Sequence, residues 1–226
     1  TDFLKDIPHG SVFTVSDNDS SLVQKVEDAG VLGSKIFYRG EEILFPLPGV
    51  YNVKNALLCI ALAEKKGFSA KEIKSGLEAV QPLFGRSQVL HGFVTYFLDC
   101  YNANPDSMKS AIEFCDSINT ECAKHYVLAS MLELGAESDY EHKKIIEDAL
   151  KSNADNLYFF GDDICSAFEG LKVSSSKKIY KFKTNQFDAL KKQLKENLSK
   201  DDFVLLKGSR SMELERLESV LKEGAA

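Results

Sequence analysis

The segment Asp99–Pro105 combines residue types that suit a ligand site at the end of a β-strand. The residues before it, 93–98, form an apolar run with the alternation of a strand. Asp99 supplies a carboxylate that could accept hydrogen bonds from a ribose, and Asn104-Pro105 is a typical cap and first turn of a helix. Ligands of α/β proteins bind where a strand leads into a helix, and the free N–H groups of the helix suit an anion. Turn chemistry explains Asn104 and Pro105, but it does not explain Tyr101 and Asn102.

Two asparagines near residue 50 offer side chains suited to a nucleobase. Asn52 and Asn55 are three residues apart at a predicted helix start, which places both on one helix face. A side-chain amide both donates and accepts hydrogen bonds, so the pair suits the edge of a purine ring. The alternative is that Asn52 only caps the helix.

Two cationic motifs suit anionic groups. Arg86, in Gly85-Arg86, lies at a break in composition and could reach across a cleft to a phosphate. Its alternative is a surface or hinge ion pair. The run Lys207–Ser211 sets two cations, two hydroxyls and a glycine at a predicted helix start, which suits capture of a carboxylate by a bidentate arginine. Its alternative is a capped helix start with solvated charges.

Several common sites are absent from the sequence. No Gly-Lys dipeptide occurs, so there is no G-x-x-x-x-G-K-[ST] phosphate loop, and there is no G-x-G-x-x-G either. The five cysteines form no C-x-x-C pair and show no zinc-like spacing with the four histidines. This pattern predicts reduced thiols in a cytoplasmic protein, each serving as a small buried hydrophobe, and it predicts no metal ligands.

Composition excludes two classes of partner. The chain has 226 residues and a formal net charge of 28 − 34 = −6, which argues against non-specific nucleic-acid binding. No apolar run approaches the roughly 20 residues that span a bilayer, and no signal peptide is recognisable, so no membrane partner is expected. Thr1 stands where an initiator Met would be. Either processing or an artificial boundary explains this, or a larger N-terminal part is absent.

The spacing of apolar residues predicts two domains, 1–84 and 85–226. In the first domain we predict short strands at Ser11–Val15 and Lys35–Tyr38. Residues 43–48 return as a further strand, which predicts a hairpin, and a helix follows over 52–66. Ser69 and Glu72 predict a capping box for a second helix. In the second domain, strands alternate with helices, which predicts an α/β fold with a doubly wound, mostly parallel sheet. The predicted strands are 93–98, 125–130, 156–160, 178–182 and 202–206, and the predicted helices are 105–118, 139–152, 163–170, 185–197 and 211–221, with caps at Ser138 and Thr184.

Taken together and in order, these motifs resemble those of the Mur ligases of peptidoglycan synthesis. The resemblance covers about residues 40 to 221 and is strongest to the members that join D-Ala-D-Ala to UDP-N-acetylmuramoyl-tripeptide. Two departures occur: Tyr51 stands where the family usually has His, and Ala129-Ser130 stand where Gly-Asp usually precedes Met131. The matching segments are Gly49–Ala56, Gly85-Arg86, Asp99–Met108, Met131–Gly135 followed by His142, and Lys207–Glu213.

The resemblance implies a three-domain, cytoplasmic, monomeric enzyme that uses ATP and Mg²⁺. Residues 1–84 would be the end of its central ATP-binding domain, and residues 85–226 would be its Rossmann-like C-terminal domain. The phosphate loop and the Mg²⁺ ligands would then lie upstream of residue 1, so the isolated chain is expected to be inactive. The implied reaction converts the tripeptide carboxylate to an acyl phosphate, which the amine of D-Ala-D-Ala attacks with release of phosphate.

The resemblance also implies roles for individual residues. Asn52 and Asn55 would hold adenine, and Asp99 the ribose. Arg86 would contact a phosphate and take part in catalysis. Tyr101 would also bind the cofactor. The substrate would be bound by Asn102, Asn104, Lys207, Ser209 and Arg210. Two alternatives remain at this point: a folylpolyglutamate synthase-like ligase, and a non-catalytic ligand-binding module that naturally lacks the phosphate loop.

Overall fold

The computed structural model describes residues 22–172 and 175–224, and the predicted strand Ser11–Val15 lies outside these ranges. Packing divides the chain into two compact units, with the division between Val80 and Gln81. The boundary predicted after residue 84 lies a few residues further along the chain. Each unit has an apolar core of its own.

The first unit has a three-stranded antiparallel sheet and two helices. Its strands pair in the order β1-β2-β3, so the predicted hairpin is confirmed. One sheet face packs against both helices through a core that includes Ile36, Ile43, Ile60 and Ile73. The elements are β1 (Lys25–Asp28), β2 (Ser34–Tyr38), β3 (Glu41–Phe45), α1 (Val50–Lys65) and α2 (Ala70–Glu78).

The starts of these two helices differ. Ser69 and Glu72 form the predicted capping box of α2, because the Ser69 hydroxyl accepts from the Glu72 N–H and the Glu72 carboxylate accepts from the Ser69 N–H. At α1 the N-cap residue is Gly49, whose φ of 96° is left-handed. Asn52 therefore lies inside the first turn, and the alternative in which it caps the helix is wrong.

The second unit has a six-stranded sheet in the order β4-β5-β9-β6-β7-β8. Pairing is parallel throughout except between β4 and β5, which are antiparallel. This arrangement confirms the predicted mostly parallel α/β fold. The strands are β4 (Gln88–His91), β5 (Thr95–Asp99), β6 (Lys124–Ala129), β7 (Asn156–Phe160), β8 (Lys178–Phe182) and β9 (Phe203–Lys207).

Helices cover both faces of this sheet. Phe97 of β5 contacts Phe114 of α3, with 4.9 Å between ring centroids. On the other face, Phe160 of β7 contacts Phe187 of α6, with 5.6 Å between ring centroids. The central strands β5, β6, β7 and β9 are consequently buried on both sides, whereas the edge strands β4 and β8 are partly exposed. The helices are α3 (Pro105–Ser117), α4 (Ser138–Lys151), α5 (Asp162–Glu169), α6 (Phe187–Asn197) and α7 (Glu218–Glu223).

Three local predictions for the second unit are wrong. The helix predicted over 211–221 consists of two 3₁₀ turns and the short α7, because Glu213 has a left-handed φ of 49° that interrupts it. Ser138 has helical backbone angles inside α4 and forms no capping box. Thr184 begins a 3₁₀ turn, and α6 begins only at Phe187.

The order of the strands places β9 between β5 and β6. These two strands follow each other in the chain, yet each pairs with β9 and not with the other. The carboxyl ends of β5, β9 and β6 therefore lie side by side at the edge where open α/β sheets bind ligands. Within the described ranges, no helix is both long enough and apolar enough to cross a membrane.

Candidate functional site

Asp99 and Lys207 form the centre of the site in the second unit. They are paired residues at the carboxyl ends of β5 and β9. Lys207 Nζ lies 3.0 Å from Asp99 Oδ2 and donates a hydrogen bond of 2.7 Å to the Asn102 carbonyl. Asp99 Oδ1 accepts a 3.0 Å bond from the Ser87 N–H. Since Lys207 is only 1% exposed, its ammonium holds the turn after β5 in place.

Arg86 and Tyr101 lie together at the surface of this site. The Arg86 guanidinium carbon is 4.1 Å from the centroid of the Tyr101 ring, which is a cation–π contact. The Gly85 carbonyl accepts a 2.9 Å bond from the Tyr101 N–H. Gly85 has a φ of +65°, and a Cβ there would lie 3.2 Å from that nitrogen. Arg86 is exposed, so its N–H donors are available to an anion.

Ser209 and Arg210 follow β9: Ser209 directly precedes the first of the two 3₁₀ turns, and Arg210 begins it. The buried Ser209 hydroxyl accepts a 2.9 Å bond from the Leu132 N–H, which leaves its own proton to donate. The exposed Arg210 guanidinium lies 5.3 Å from the centroid of the Phe84 ring and forms an ion pair with Glu215. The two residues thus offer a hydroxyl donor and a guanidinium, the groups that bind a carboxylate.

Glu215 belongs to the site, although sequence reasoning did not single it out. One of its oxygens pairs with Arg210, and the other accepts from the Cys100 thiol, with 3.6 Å between S and O. Burial and the neighbouring Glu215 charge raise the pKa of Cys100 to about 12, so the thiol keeps its proton. No spacing in the sequence marked Glu215, because Arg210 five residues before it shows no helical pairing pattern and Cys100 lies on a distant segment of the chain.

The glycine of the Lys207–Ser211 motif is required by close packing. A Cβ at Gly208 would lie 2.5 Å from the Cβ of Ala129 at the end of β6. Any larger residue would push the chain after β9 away from β6. The glycine consequently allows Ser209 to accept its hydrogen bond from the loop that follows β6.

His142 fixes that loop. Its Nε2 accepts a 2.9 Å bond from the Met131 N–H, and its Nδ1 lies 2.7 Å from the Ser138 carbonyl. These partners define a neutral ring with the proton on Nδ1. Burial lowers the pKa of His142, which keeps the ring neutral. His142, the histidine that follows the Met131–Gly135 motif, therefore stabilises this loop and has no exposed nitrogen to bind a ligand.

Asn102 and Asn104 are exposed in the turn after β5. Asn102 Oδ1 accepts from the Ala103 N–H at 2.8 Å. Asn104 Oδ1 accepts from the Ser107 N–H at 2.8 Å, and Pro105 is the first residue of α3. The predicted cap and first turn are confirmed.

Asn52 and Asn55 lie on α1 in the first unit. Asn52 is 7% exposed and donates from its amide nitrogen to the Pro48 carbonyl at 2.8 Å. Asn55 is exposed. The spacing of three thus places one amide inside the unit and the other at its surface.

The cysteines and acidic residues are the remaining groups that could react or bind a metal ion. All five cysteines are free thiols; Cys100, Cys115 and Cys165 are buried as predicted, whereas Cys59 is exposed and contradicts the expectation for it. Cys122 is intermediate in exposure. Among residues 22–172 and 175–224, no group of three His, Cys, Asp or Glu residues could hold a metal ion.

The second unit is an α/β domain with a mostly parallel sheet and with exposed arginine side chains near the carboxyl ends of its central strands. The profile of the family described as "Mur ligase, glutamate ligase domain" matches residues 85–210. The chain therefore belongs to the Mur ligase family.

Two similar proteins show how much of a longer chain this sequence matches. The UDP-N-acetylmuramoyl-tripeptide–D-alanyl-D-alanine ligase of Treponema pallidum is 45% identical over 222 residues, which are 98% of this chain and 48% of that protein. A crystal structure of MurF from Acinetobacter baumannii has a TM-score of 0.75 at 26% identity, covering 88% of this chain and 44% of that one. The chain thus spans about half the length of these relatives.

A third comparison concerns the fold alone. The crystal structure of MurF ligase from Thermotoga maritima in complex with ADP has a TM-score of 0.69 at 21% identity. It covers 87% of this chain and 45% of that one.

Proposed function

We propose that this chain provides the nucleotide-contacting and dipeptide-binding domain of an ATP-dependent ligase that adds D-Ala-D-Ala to UDP-N-acetylmuramoyl-tripeptide. The observation that carries the proposal is the placement of two exposed guanidiniums, Arg86 and Arg210, in one unit with the buried Asp99–Lys207 pair. The name of the Treponema pallidum relative favours this activity over that of a folylpolyglutamate synthase. We further propose that the enzyme works as a monomer in the cytoplasm.

Nucleotide binding is assigned to residues with groups of the right chemistry. Arg86 contacts a phosphate, since its guanidinium is exposed and is oriented by the Tyr101 ring. Asp99 accepts from ribose hydroxyls, because a carboxylate has about four acceptor positions and the Ser87 N–H and Lys207 occupy two of them. Asn55, exposed on α1, contacts adenine, whereas Asn52 acts indirectly, because its buried amide nitrogen donates to the Pro48 carbonyl and holds the start of α1.

Dipeptide binding is assigned to the turn after β9. Arg210 binds the terminal carboxylate of D-Ala-D-Ala through paired N–H donors, and the Ser209 hydroxyl donates a further bond to it. Asn102 and Asn104 contact the peptide from the turn after β5. Lys207 acts indirectly, since its ammonium is buried against Asp99 and Asn102.

The chemistry of the proposed reaction needs positioning and charge neutralisation more than covalent participation by protein groups. ATP, when bound, supplies the γ-phosphoryl group that converts the tripeptide carboxylate to an acyl phosphate. Arg86 stabilises the charge that develops on the phosphoryl oxygens. Arg210 and Ser209 orient the dipeptide so that its amine attacks the acyl carbon and phosphate leaves. Among the described residues no group of three His, Cys, Asp or Glu residues could hold a metal ion, and we assign these residues no step through a metal.

The proposal is tested with a chimera in which this chain replaces the matching 222 residues of the Treponema pallidum relative. Phosphate release should require ATP, UDP-N-acetylmuramoyl-tripeptide and D-Ala-D-Ala together. We expect R86A to lower kcat and R210A to raise the KM for D-Ala-D-Ala, because each substitution removes a charge-assisted contact worth about 1.5–3 kcal/mol. R216A is the matched control, since Arg216 is exposed and pairs with Glu213.

Two results would contradict the proposal. One is a folded chimera that releases no phosphate with all three substrates. The other is an R210A chimera whose KM for the dipeptide equals that of the R216A control. The chain by itself is expected to release no phosphate, because it has no phosphate loop; turnover by the isolated chain would overturn that expectation.

A further inference from the structure

We infer that Glu215 is a positioning residue for Arg210, holding its guanidinium ready for the carboxylate of the incoming dipeptide. The inference rests on the proposed function and assigns a specificity role to a residue that no motif marked. It follows from two contacts of the Glu215 carboxylate, with Arg210 and with Cys100, and from one contact of Arg210 with the Phe84 ring.

The Glu215 side chain is mostly enclosed, with 17% of its surface exposed. One oxygen pairs with the Arg210 guanidinium, and the other accepts from the thiol of buried Cys100. Cys100 lies between Asp99 and Tyr101, in the turn that Lys207 also holds. Glu215 is thus anchored to the end of β5, and it transmits that fixed position to Arg210 after β9.

A second contact restrains Arg210, and part of its guanidinium remains exposed to solvent. The Phe84 ring lies under the guanidinium, at 5.3 Å from centroid to carbon. In the part of the chain that the structure describes, Glu215 is the only carboxylate within ion-pair distance of Arg210. A guanidinium has five N–H donors, so pairing through one nitrogen leaves several for a ligand. Half of the side-chain surface is exposed to receive one.

This arrangement lowers the ordering cost of binding. A free arginine side chain loses rotamer freedom when it binds a carboxylate, which costs roughly 0.5–1.5 kcal/mol for an immobilised side chain. Glu215 and Phe84 fix most of that freedom before the ligand arrives. Removing the Glu215 carboxylate should therefore weaken dipeptide binding by up to about tenfold, without an equal effect on nucleotide binding.

The test measures D-Ala-D-Ala and ADP binding to the chain by isothermal titration calorimetry. We expect E215A to weaken D-Ala-D-Ala binding about tenfold. We expect E215Q to weaken it only about threefold, because the amide oxygen still accepts from Arg210 but lacks the charge. ADP affinity should stay within about twofold of wild type in both variants. The matched control is E213Q, since Glu213 is exposed and pairs only with exposed Arg216 among the described residues.

Each contrary outcome has a distinct meaning. If dipeptide affinity is unchanged or higher in E215A and E215Q, Glu215 does not position Arg210. If ADP and dipeptide affinities fall by the same factor, Glu215 only supports the fold, and the inference is wrong. If E215A does not fold, the threefold loss in E215Q against no loss in E213Q decides the question. Wild-type chain that binds no D-Ala-D-Ala contradicts the proposed function itself, and the inference fails with it.

Discussion

Lys207 Nζ lies 3.0 Å from Asp99 Oδ2, across two parallel strands whose last residues are paired. The same ammonium donates to the Asn102 carbonyl, and the same carboxylate accepts from the Ser87 N–H. One ion pair therefore joins the end of β9 to two segments that carry candidate ligand contacts. Separate experiments can measure what this ion pair contributes to folding stability and what Asp99 contributes to nucleotide binding.

We expect K207M to lower the free energy of unfolding by about 2–3 kcal/mol. Methionine keeps the apolar stem of lysine but leaves the Asp99 carboxylate without its cation, and removing one partner of a buried pair costs about 3–5 kcal/mol when both are fully enclosed. The lower figure allows for Asp99, whose side chain is 15% exposed. Urea unfolding measures the change. K222M is the control, because Lys222 pairs with Glu218 at the surface and should cost less than about 1 kcal/mol.

Replacing Asp99 should weaken nucleotide binding. D99N keeps the size of the side chain but loses its charge, so charge-assisted bonds to ribose hydroxyls are lost, at about 1.5–3 kcal/mol of binding free energy. Calorimetry with ADP, run below the melting temperature of the variant, measures the loss. The control is D106N, since Asp106 is exposed in the first turn of α3. Equal ADP affinity in D99N and wild type would remove Asp99 from the nucleotide site.

Thiol labelling should distinguish the cysteines by their surroundings. At pH 8 we expect iodoacetamide to modify exposed Cys59 quickly and to spare Cys100, Cys115 and Cys165. Cys100 is buried and its pKa is raised to about 12 by burial and the Glu215 charge, so the reactive thiolate is scarce at that pH. Mass spectrometry of digested, labelled protein gives the extent at each site. Labelling of Cys100 as fast as that of Cys59 would contradict its enclosure by Glu215.

Acidification from pH 7 to 5.5 should destabilise the second unit. Burial lowers the pKa of both His125 and His142 below the unfolded value of about 6.5. The unfolded chain consequently binds more protons as the pH falls through 6.5, and folding stability drops by up to about 1.4 kcal/mol per pH unit for each histidine.

The histidine contribution is isolated by H142Q. Glutamine does not titrate, and its side-chain oxygen can still accept from the Met131 N–H that His142 Nε2 binds. We expect the slope of unfolding free energy against pH to be smaller in H142Q than in wild type between pH 7 and 5.5. Identical slopes would show that His142 does not titrate differently in the folded and unfolded chains.

Much of the second unit could be predicted from apolar spacing. The strands β5 to β9 and the helices α3 to α6 agree with the prediction within a few residues, because the central strands are covered on both faces and carry mostly apolar residues. Two edge strands were missed. β1 has three charged residues among four, and β4 is short and only partly buried, so neither shows an apolar pattern.

The last predicted helix failed for a different reason. Its apolar spacing is real, since Met212, Leu214 and Leu217 are all buried. The left-handed Glu213 nevertheless divides it into 3₁₀ turns. That bend places Glu215 against Cys100, a contact between segments far apart in the chain. Apolar periodicity carries no information about such a bend.

The sequence by itself determined the Mur ligase motifs and their positions at the ends of strands, because strand ends and helix caps depend on neighbouring residues. Only the tertiary structure decided that β9 lies between β5 and β6, and therefore that Lys207 pairs with Asp99 and that Glu215 lies against Cys100. Strand order depends on the packing of distant segments against one another. Local spacing in the chain does not encode it, so the contacts that join the ends of these strands become visible only in the fold.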